Sequence, residues 1–231
     1  MKKADLIFIF CVIIFFLPFF VITDVYNFYV DFNTNHGMIM SFIKFAILAT
    51  LGESIGLRIK NGVYNQKGFG LLPRAIVWGF LGLWIKLAFV VFAKGTPAFL
   101  MYMGMENAVV ALKGDLSWAK VFVAFCISAA MNTSFAPVFM TLHKITDTHI
   151  LNNGGTLLGF LKPIKFKEIF PSLNWSVQWG FVFKKTIPFF WIPAHTITFC
   201  LPEQYQILFA AFLGIVLGVL LSISAIMGAK K

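Results

Sequence analysis

Residues 174–224 read NWSVQWGFVFKKTIPFFWIPAHTITFCLPEQYQILFAAFLGIVLGVLLSIS, and they contain two apolar segments joined by a very short turn at residues 201–204. The second segment, residues 207–227, is uninterrupted and carries no charge. A run of about 20 apolar residues is long enough to cross the hydrocarbon core of a bilayer as a helix. Because so short a turn makes the two segments antiparallel neighbours, this stretch predicts a transmembrane hairpin.

The first arm of this hairpin contains two prolines and a histidine. Pro188 and Pro193 cannot donate the backbone hydrogen bonds of a continuous helix, so we expect a kink there. His195 is the histidine that lies inside an apolar run. Irregular helices are tolerated at membrane depth where they line protein or a water-filled cavity. This arm is therefore a candidate wall of a solute path.

The composition of the whole chain indicates an integral membrane protein. Of its 231 residues, 59% are hydrophobic and 12% are charged. Soluble domains average about 45–50% apolar and about 25% charged residues, and a soluble fold of this length could not hide so much apolar surface. The formal net charge of +10 has a simple origin, because cytoplasmic loops of membrane proteins collect Lys and Arg. We therefore expect the lipid bilayer as a partner, and no nucleic acid.

The charge distribution predicts the number and direction of the spans. Besides the hairpin arms, four apolar segments are expected to cross the bilayer: residues 6–22, 38–57, 74–93 and 118–142. With the N-terminus in the cytoplasm, most Lys and Arg of the connections lie inside, as the positive-inside rule requires. We predict an all-α integral membrane protein with about six transmembrane helices in one bundle and both termini cytoplasmic. Residues 1–231 form a single domain in this prediction, with a long cytoplasmic connection at 143–177.

Three ionisable residues in the apolar segments are candidate pore-lining residues: Lys44, Lys86 and His195. At about 1.5 Å per residue, Lys44 lies about 10 Å inside its helix and Lys86 about 18 Å from the cytoplasmic side. All three fall in the outer half, so together they would form a positively biased vestibule for anions or polar metabolites. The alternative is that the lysines extend to an interface and that His195 is a packed, hydrogen-bonded histidine.

Glu53 is expected to form a structural ion pair near the cytoplasmic side. It lies nine positions after Lys44 and so on the opposite face of the helix. Its partner is predicted to be Arg74, at the start of the third segment, with Arg58 as the alternative. Small residues near Glu53 allow close approach of another helix; these are Ala46, Ala49, Gly52 and Gly56.

Motifs for catalysis, metals and cofactors are missing from the sequence. It contains no H-E-x-x-H, P-loop or Rossmann glycine pattern and no G-x-S-x-G nucleophile motif. The three cysteines lie in different apolar segments, which excludes a clustered metal site. His143, Asp147 and His149 lie together on a polar segment, but two histidines and one carboxylate are a weak indication of a metal. We predict no enzymatic activity, no catalytic residue, no metal and no cofactor.

Several short motifs, in order, resemble the Mpv-type family of small peroxisomal and mitochondrial inner-membrane proteins. Their positions are Leu51-Gly52-Glu53, Arg74, Phe135-Ala136-Pro137, Trp179, Pro188 or Pro193, residues 198–202 (TFCLP), Tyr205-Gln206 and residues 220–222 (LLS). Thr198 and Gln206 replace an asparagine and an arginine of the family pattern. The resemblance implies a multi-span helical protein with channel activity toward small metabolites. Because the N-terminus is not an Arg-rich targeting peptide, we expect a bacterial member in the inner membrane.

Two functions follow as hypotheses. The first is a channel-like membrane protein, weakly selective for small solutes or anions, with the three candidate pore-lining residues along its path. The alternative is a structural or partner-binding membrane protein without transport activity, which would use the small-residue face around Gly52. A homo-oligomer is possible in either case.

Overall fold

The computed structural model describes residues 2–228, with the side chains of residues 217 and 220–228 excepted. Every regular element in this part of the chain is helical, which confirms the all-α class. In chain order the helices are α1 (Lys3–Phe16), α2 (Pro18–Val21), α3 (Thr23–Asn35), α4 (Gly37–Asn61), α5 (Leu71–Tyr102), α6 (Ala108–Lys113), α7 (Trp118–Ser134), α8 (Ala136–Asn152), α9 (Leu157–Phe160), α10 (Phe166–Ser172), α11 (Trp175–Val177), a π-helix (Gln178–Trp191), α12 (Ile192–Cys200) and α13 (Glu203–Gly228).

Three helices of the described chain are long and apolar enough to cross a membrane. They are Lys3–Val21, which joins α1 and α2, together with α4 and α5. A fourth exists if α7 and α8 form one span, bent by 46°. The predicted last span, residues 207–227, extends into side chains outside the described part, and its described apolar portion ends at Val216. Six spans and two cytoplasmic termini therefore stay predictions.

The chain divides into two compact units, Met1–Met40 and Ser41–Lys231. In the first unit none of the residues of α1, α2 and α3 is buried. The ring of Phe19 packs edge-to-face on that of Tyr29, with 5.7 Å between centroids. Residues 23–35 are helical, although the sequence predicted a polar connection there. The single domain 1–231 and the cytoplasmic side of residues 143–177 stay predictions.

Two helices of the second unit are longer than the sequence predicted. The third segment was expected to end at residue 93, but α5 continues to Tyr102 with Pro97 inside it. A proline removes one backbone hydrogen bond from a helix; here Pro97 is fully buried, so packing offsets that loss. Residues 143–152, expected to begin the long connection, continue α8 because His149 is buried and contacts the Phe160 carbonyl oxygen at 3.1 Å.

Helix α7 lies at the centre of the second unit. Its residues Val123, Ala124 and Ile127 are completely buried, and it packs against α5, α6 and α12. Helix α8 follows directly, with Pro137 in its first turn. A proline is well tolerated at this position, because the backbone donors of a first turn have no partner inside the helix. The predicted bend at Pro137 is therefore a change of direction between two helices.

Helices α4 and α5 approach each other closely because glycines face the contact. A Cβ atom built at Gly79 would lie 2.4 Å from the Phe42 ring, and one at Gly82 would lie 2.7 Å from the Cβ of Phe45. The Ser41 hydroxyl donates a hydrogen bond of 2.7 Å to the Gly82 carbonyl oxygen. Side chains larger than glycine would separate the two helices.

The first arm of the C-terminal hairpin changes its hydrogen bonding along its length. Pro188 lies inside the π-helix, and Pro193 lies in the first turn of α12. The Ile192 N–H donates to the carbonyl of Ile187, five residues earlier. Trp191 and Ile192 both have helical backbone angles, so the helical backbone continues through the predicted kink. The prolines are accommodated by a wider helical turn, a form that is rare and is frequent at functional sites.

Candidate functional site

A buried ion pair joins α4, α5 and α8 toward the predicted cytoplasmic side. Arg74, in the first turn of α5, is buried, and its Nη1 contacts the carboxylates of both Glu53 and Asp147. Its Nε donates a hydrogen bond of 2.7 Å to the carbonyl oxygen of Phe69. The structure therefore brings Glu53 and Arg74 together and adds Asp147, from a distant part of the sequence, as a second carboxylate.

Two further side chains complete the coordination of Glu53. The indole Nε1 of Trp78 donates to Glu53 Oε1 at 2.8 Å, and His143 Nε2 lies 3.2 Å from the same oxygen. Lys144 contacts Asp147 at 3.2 Å. The two carboxylates are thus matched by one arginine and one lysine, so this charged cluster carries no excess charge when His143 is neutral.

Glycines in the α4–α5 connection hold Arg74 in position. Gly70 precedes α5 with a φ of 75°, in the left-handed region that favours glycine. A Cβ atom there would lie 2.5 Å from a side-chain methyl group of Ile150 and 3.0 Å from the Cα of Gly155. The connection is therefore packed tightly against the end of α8, which places Arg74 beside Asp147.

A second polar cluster joins α7 to α12. The Asn132 Nδ2 lies 3.0 Å from His195 Nδ1 and donates to the Ser128 carbonyl at 2.9 Å. Ser128 donates in turn to the carbonyl of Ile192 at 2.7 Å. The His195 ring is buried and lies 5.1 Å from the ring of Trp191. His195 is thus packed and hydrogen-bonded, as in the alternative considered from the sequence.

Replacing Asn132 with leucine is expected to lower the free energy of unfolding by about 1–3 kcal/mol, because a buried ring nitrogen of His195 loses its partner. Denaturation of the purified protein in detergent would measure the loss. Asn152→Leu, at an exposed position at the end of α8, serves as the control and should change stability by less than about 0.5 kcal/mol. Equal losses in both variants would contradict the role given to Asn132.

A cavity of about 350 Å³ lies between the two polar clusters. It follows α5 from Trp78 to Phe89, which is about 16 Å at about 1.5 Å per residue, or roughly half of the ~30 Å core of a bilayer. Glu53, His143 and Lys144 line it toward one end, and Asn132 and His195 line it as well. The remaining wall is mostly apolar and includes six aromatic side chains: Phe45, Trp78, Phe89, Phe135, Phe139 and Trp191.

The π-helix and α12 contribute one continuous stripe to this wall. The stripe comprises Gln178, Val182, Thr186, Trp191 and His195, at intervals of four or five residues. In an α-helix a step of four residues advances by about 40° beyond a full turn, so a stripe of this spacing would wind around the helix. The wider π-helical turn keeps these residues on one face. The helix type therefore determines which side chains face the cavity.

Lys44 and Lys86 do not belong to the described lining of this cavity. Each lies one position from a lining residue, Phe45 or Ile85, and successive helical residues point about 100° apart. Lys44 is buried and lies near enough to Lys86 for electrostatic repulsion. The Lys86 amino group lies 3.8 Å from the carboxylate of Glu203. Of the three candidate pore-lining residues, the structure brings only His195 to the cavity.

The small-residue face of α4 is covered by the chain itself. A Cβ atom at Gly52 would lie 2.9 Å from the Cα of Ile215, and one at Gly218 would lie 3.4 Å from the carbonyl oxygen of Gly52. Both neighbours belong to α13. The hypothesis that a partner protein docks on Gly52 is therefore wrong, because that position is already buried against α13.

The sequence analysis missed Trp78, Asn132, Gln178 and Trp191 as residues of the site. It searched for charges in apolar segments, and these side chains are neutral. Asn132 did carry a signal, since it is an amide inside a predicted span. In the part of the chain that the structure describes, no group of three or more His, Cys, Asp or Glu is placed to hold a metal ion.

The fold and the site together define a helical protein with membrane-type helices and an internal, mostly apolar cavity. No protein-family model matches the chain, and no curated protein or solved structure matches it. The likeness to the Mpv-type family rests on the short motifs alone and stays a prediction.

Proposed function

We propose that this chain is a multi-pass membrane protein with channel-like activity, in which small solutes pass through the cavity with weak selectivity. The cavity is the observation that carries the proposal. Its volume of about 350 Å³ lies within the range of sites for small molecules, about 300–1,000 Å³. It lies among α4, α5, α7 and α8, which include candidate spans.

The full proposal has about six spans with both termini in the cytoplasm. The positive-inside distribution of Lys and Arg supports this direction. The motif resemblance favours a bacterial inner membrane. An assembly of several copies remains compatible with this arrangement, and no enzymatic activity, metal or cofactor is part of the proposal.

Weak selectivity follows from the chemistry of the wall. The charges of Arg74, Glu53, Asp147 and Lys144 are paired with one another, so they present no unmatched charge to an ion. Lys44 and Lys86 lie away from the lining. The cavity therefore favours small uncharged or amphipathic solutes over strict selection of anions. The charged cluster narrows the path near its cytoplasmic end, and passage requires this end to open.

Gly214 offers a way to block the path without disturbing the fold. It lines the cavity, and a Cβ atom built there meets no atom within 4 Å. Gly214→Phe is expected to slow solute entry by at least about tenfold, equivalent to a barrier raised by about 1.4 kcal/mol. Swelling of proteoliposomes in glycerol and in potassium chloride would measure the rate for a neutral solute and a salt.

The matched control is Gly95→Phe in α5. Gly95 is exposed, a Cβ atom there also meets nothing within 4 Å, and it does not line the cavity. This variant should conduct like the unmodified protein. If the unmodified protein gives no flux above empty liposomes, or if both variants conduct equally, the proposal fails.

A further inference from the structure

Two buried nitrogens of the cavity wall lack a hydrogen-bond partner. Within the described chain, the amide Nε2 of Gln178 and the indole Nε1 of Trp191 are buried, and neither has an acceptor. Both residues line the cavity, and the whole Gln178 residue is only 7% exposed. A buried donor without a partner is unfavourable for the folded state. Such groups therefore call for an explanation, and an unfilled ligand site is one.

The other polar groups of the wall already have partners. Asn132 and His195 contact each other, the Thr186 hydroxyl donates to the Val182 carbonyl at 2.6 Å, and Glu53 accepts from the side chains around it. What this wall offers to a ligand is therefore N–H donors. A molecule that satisfies them must bring hydrogen-bond acceptors.

The rest of the wall determines the body of such a molecule. The six aromatic side chains of the lining favour a flat apolar group, because aromatic rings pack well in offset or edge-to-face arrangements. At about 30 Å³ per water molecule, the cavity has the volume of about a dozen waters. That is enough for one ring with a short substituent.

We propose that the cavity binds small molecules with a flat apolar body and an acceptor oxygen, a carboxylate or a carbonyl, through hydrogen bonds from Trp191 and Gln178. This inference rests on the proposed function in using the same cavity, and it names the class of solute. The two donors stand thirteen positions apart on the π-helix. Each therefore serves a different stretch of the cavity, so a solute moving along it meets one donor after the other.

Three fluorinated compounds with the same ring test the inference: 4-fluorobenzoate, 4-fluoroacetophenone and 1-ethyl-4-fluorobenzene. Their binding to the full chain in lipid nanodiscs is measured by ¹⁹F NMR, with empty nanodiscs as the reference for partitioning into lipid. At least one of the two oxygen-bearing compounds should bind about 3- to 10-fold more tightly than the ethyl compound, which corresponds to one net hydrogen bond. Preference for benzoate would assign a carboxylate, and binding of acetophenone would assign a carbonyl.

Trp191→Phe removes the indole donor and keeps an aromatic ring. It should weaken the oxygen-bearing ligand about 3- to 10-fold and leave the ethyl compound unchanged. Trp179→Phe is the matched control, because Trp179 lies on the same helix but is 60% exposed and is not part of the described lining. Gln178→Met provides a second test, should Trp191→Phe fail to fold, and the same weakening is expected.

Equal binding of all three compounds, or equal affinities in Trp191→Phe and Trp179→Phe with Gln178→Met also unchanged, would overturn the inference. Its failure is distinguishable from failure of the proposed function. Selective binding without solute flux would leave the ligand site in place and refute the channel. Flux without any preference for an acceptor oxygen would do the reverse.

Discussion

Replacing Arg74 with methionine is expected to lower the free energy of unfolding by about 3–5 kcal/mol, because it leaves two buried carboxylates without their cation. Arg74 contacts both Glu53 and Asp147, and its own side chain is only 8% exposed. Since these residues come from α4, α5 and α8, the loss should affect the whole second unit. Unfolding of the purified protein by a detergent titration would measure it.

Neutralising the carboxylates tests the cause of this loss. Adding Glu53→Gln and Asp147→Asn to Arg74→Met should recover much of the stability, because breaking a buried pair costs more than removing it entirely. The control is Lys67→Met, an exposed cation in the connection before α5, for which we expect a change of less than about 0.5 kcal/mol. A small effect of Arg74→Met, or no recovery in the triple variant, would show that the ion pair does not hold the helices together.

Gly82→Ala is expected to destabilise the protein by about 1–3 kcal/mol, although alanine is the better helix former. The added Cβ would lie 2.7 Å from the Cβ of Phe45 and 2.8 Å from the carbonyl oxygen of Ser41. The latter is a backbone atom of α4, so relief requires the two helices to separate. That movement would also lengthen the hydrogen bond from the Ser41 hydroxyl. Thermal unfolding monitored by circular dichroism would measure the effect.

The control for this prediction should change stability in the opposite direction. Gly95 lies in the same helix, and its Cβ would meet no atom within 4 Å. Gly95→Ala is therefore expected to stabilise the helix by up to about 1 kcal/mol, the difference in helix propensity. If both alanine variants shift stability in the same direction, the close approach of α4 and α5 at Gly82 is not what limits the residue at that position.

The helical class of this protein is a consequence of its composition. A chain so apolar, in a bilayer, must satisfy its backbone hydrogen bonds within each segment, and helices do so. The pairing of Glu53 with Arg74 was also within reach of the sequence, because few charges occur near those segments and charges at membrane depth require partners. The third and fourth members, Asp147 and His143, come from residues about ninety positions beyond Glu53, and local spacing carries no information about that distance.

The path along the bundle could not be derived in the same way. Lys44 and Lys86 drew attention as charges, yet each lies one helical position away from a cavity-lining residue, and a turn of about 100° decides between lining a cavity and leaving it. Gly52 was read as a free face, but α13 covers it. Both outcomes depend on how the helices rotate about their axes, which is set by packing between segments far apart in sequence.

The sequence by itself determined that this is a helical, membrane-type chain, where its main apolar segments lie, and that a carboxylate and an arginine sit near the predicted cytoplasmic side. It could do so because hydropathy and charge act residue by residue. Only the tertiary structure decided that α7 and α8 meet at a bend, that 178–191 winds as a π-helix, and that Gln178, Trp191 and His195 share one wall. The physical reason is that helix type and rotation depend on which neighbours each turn packs against, and those neighbours are brought together only by folding.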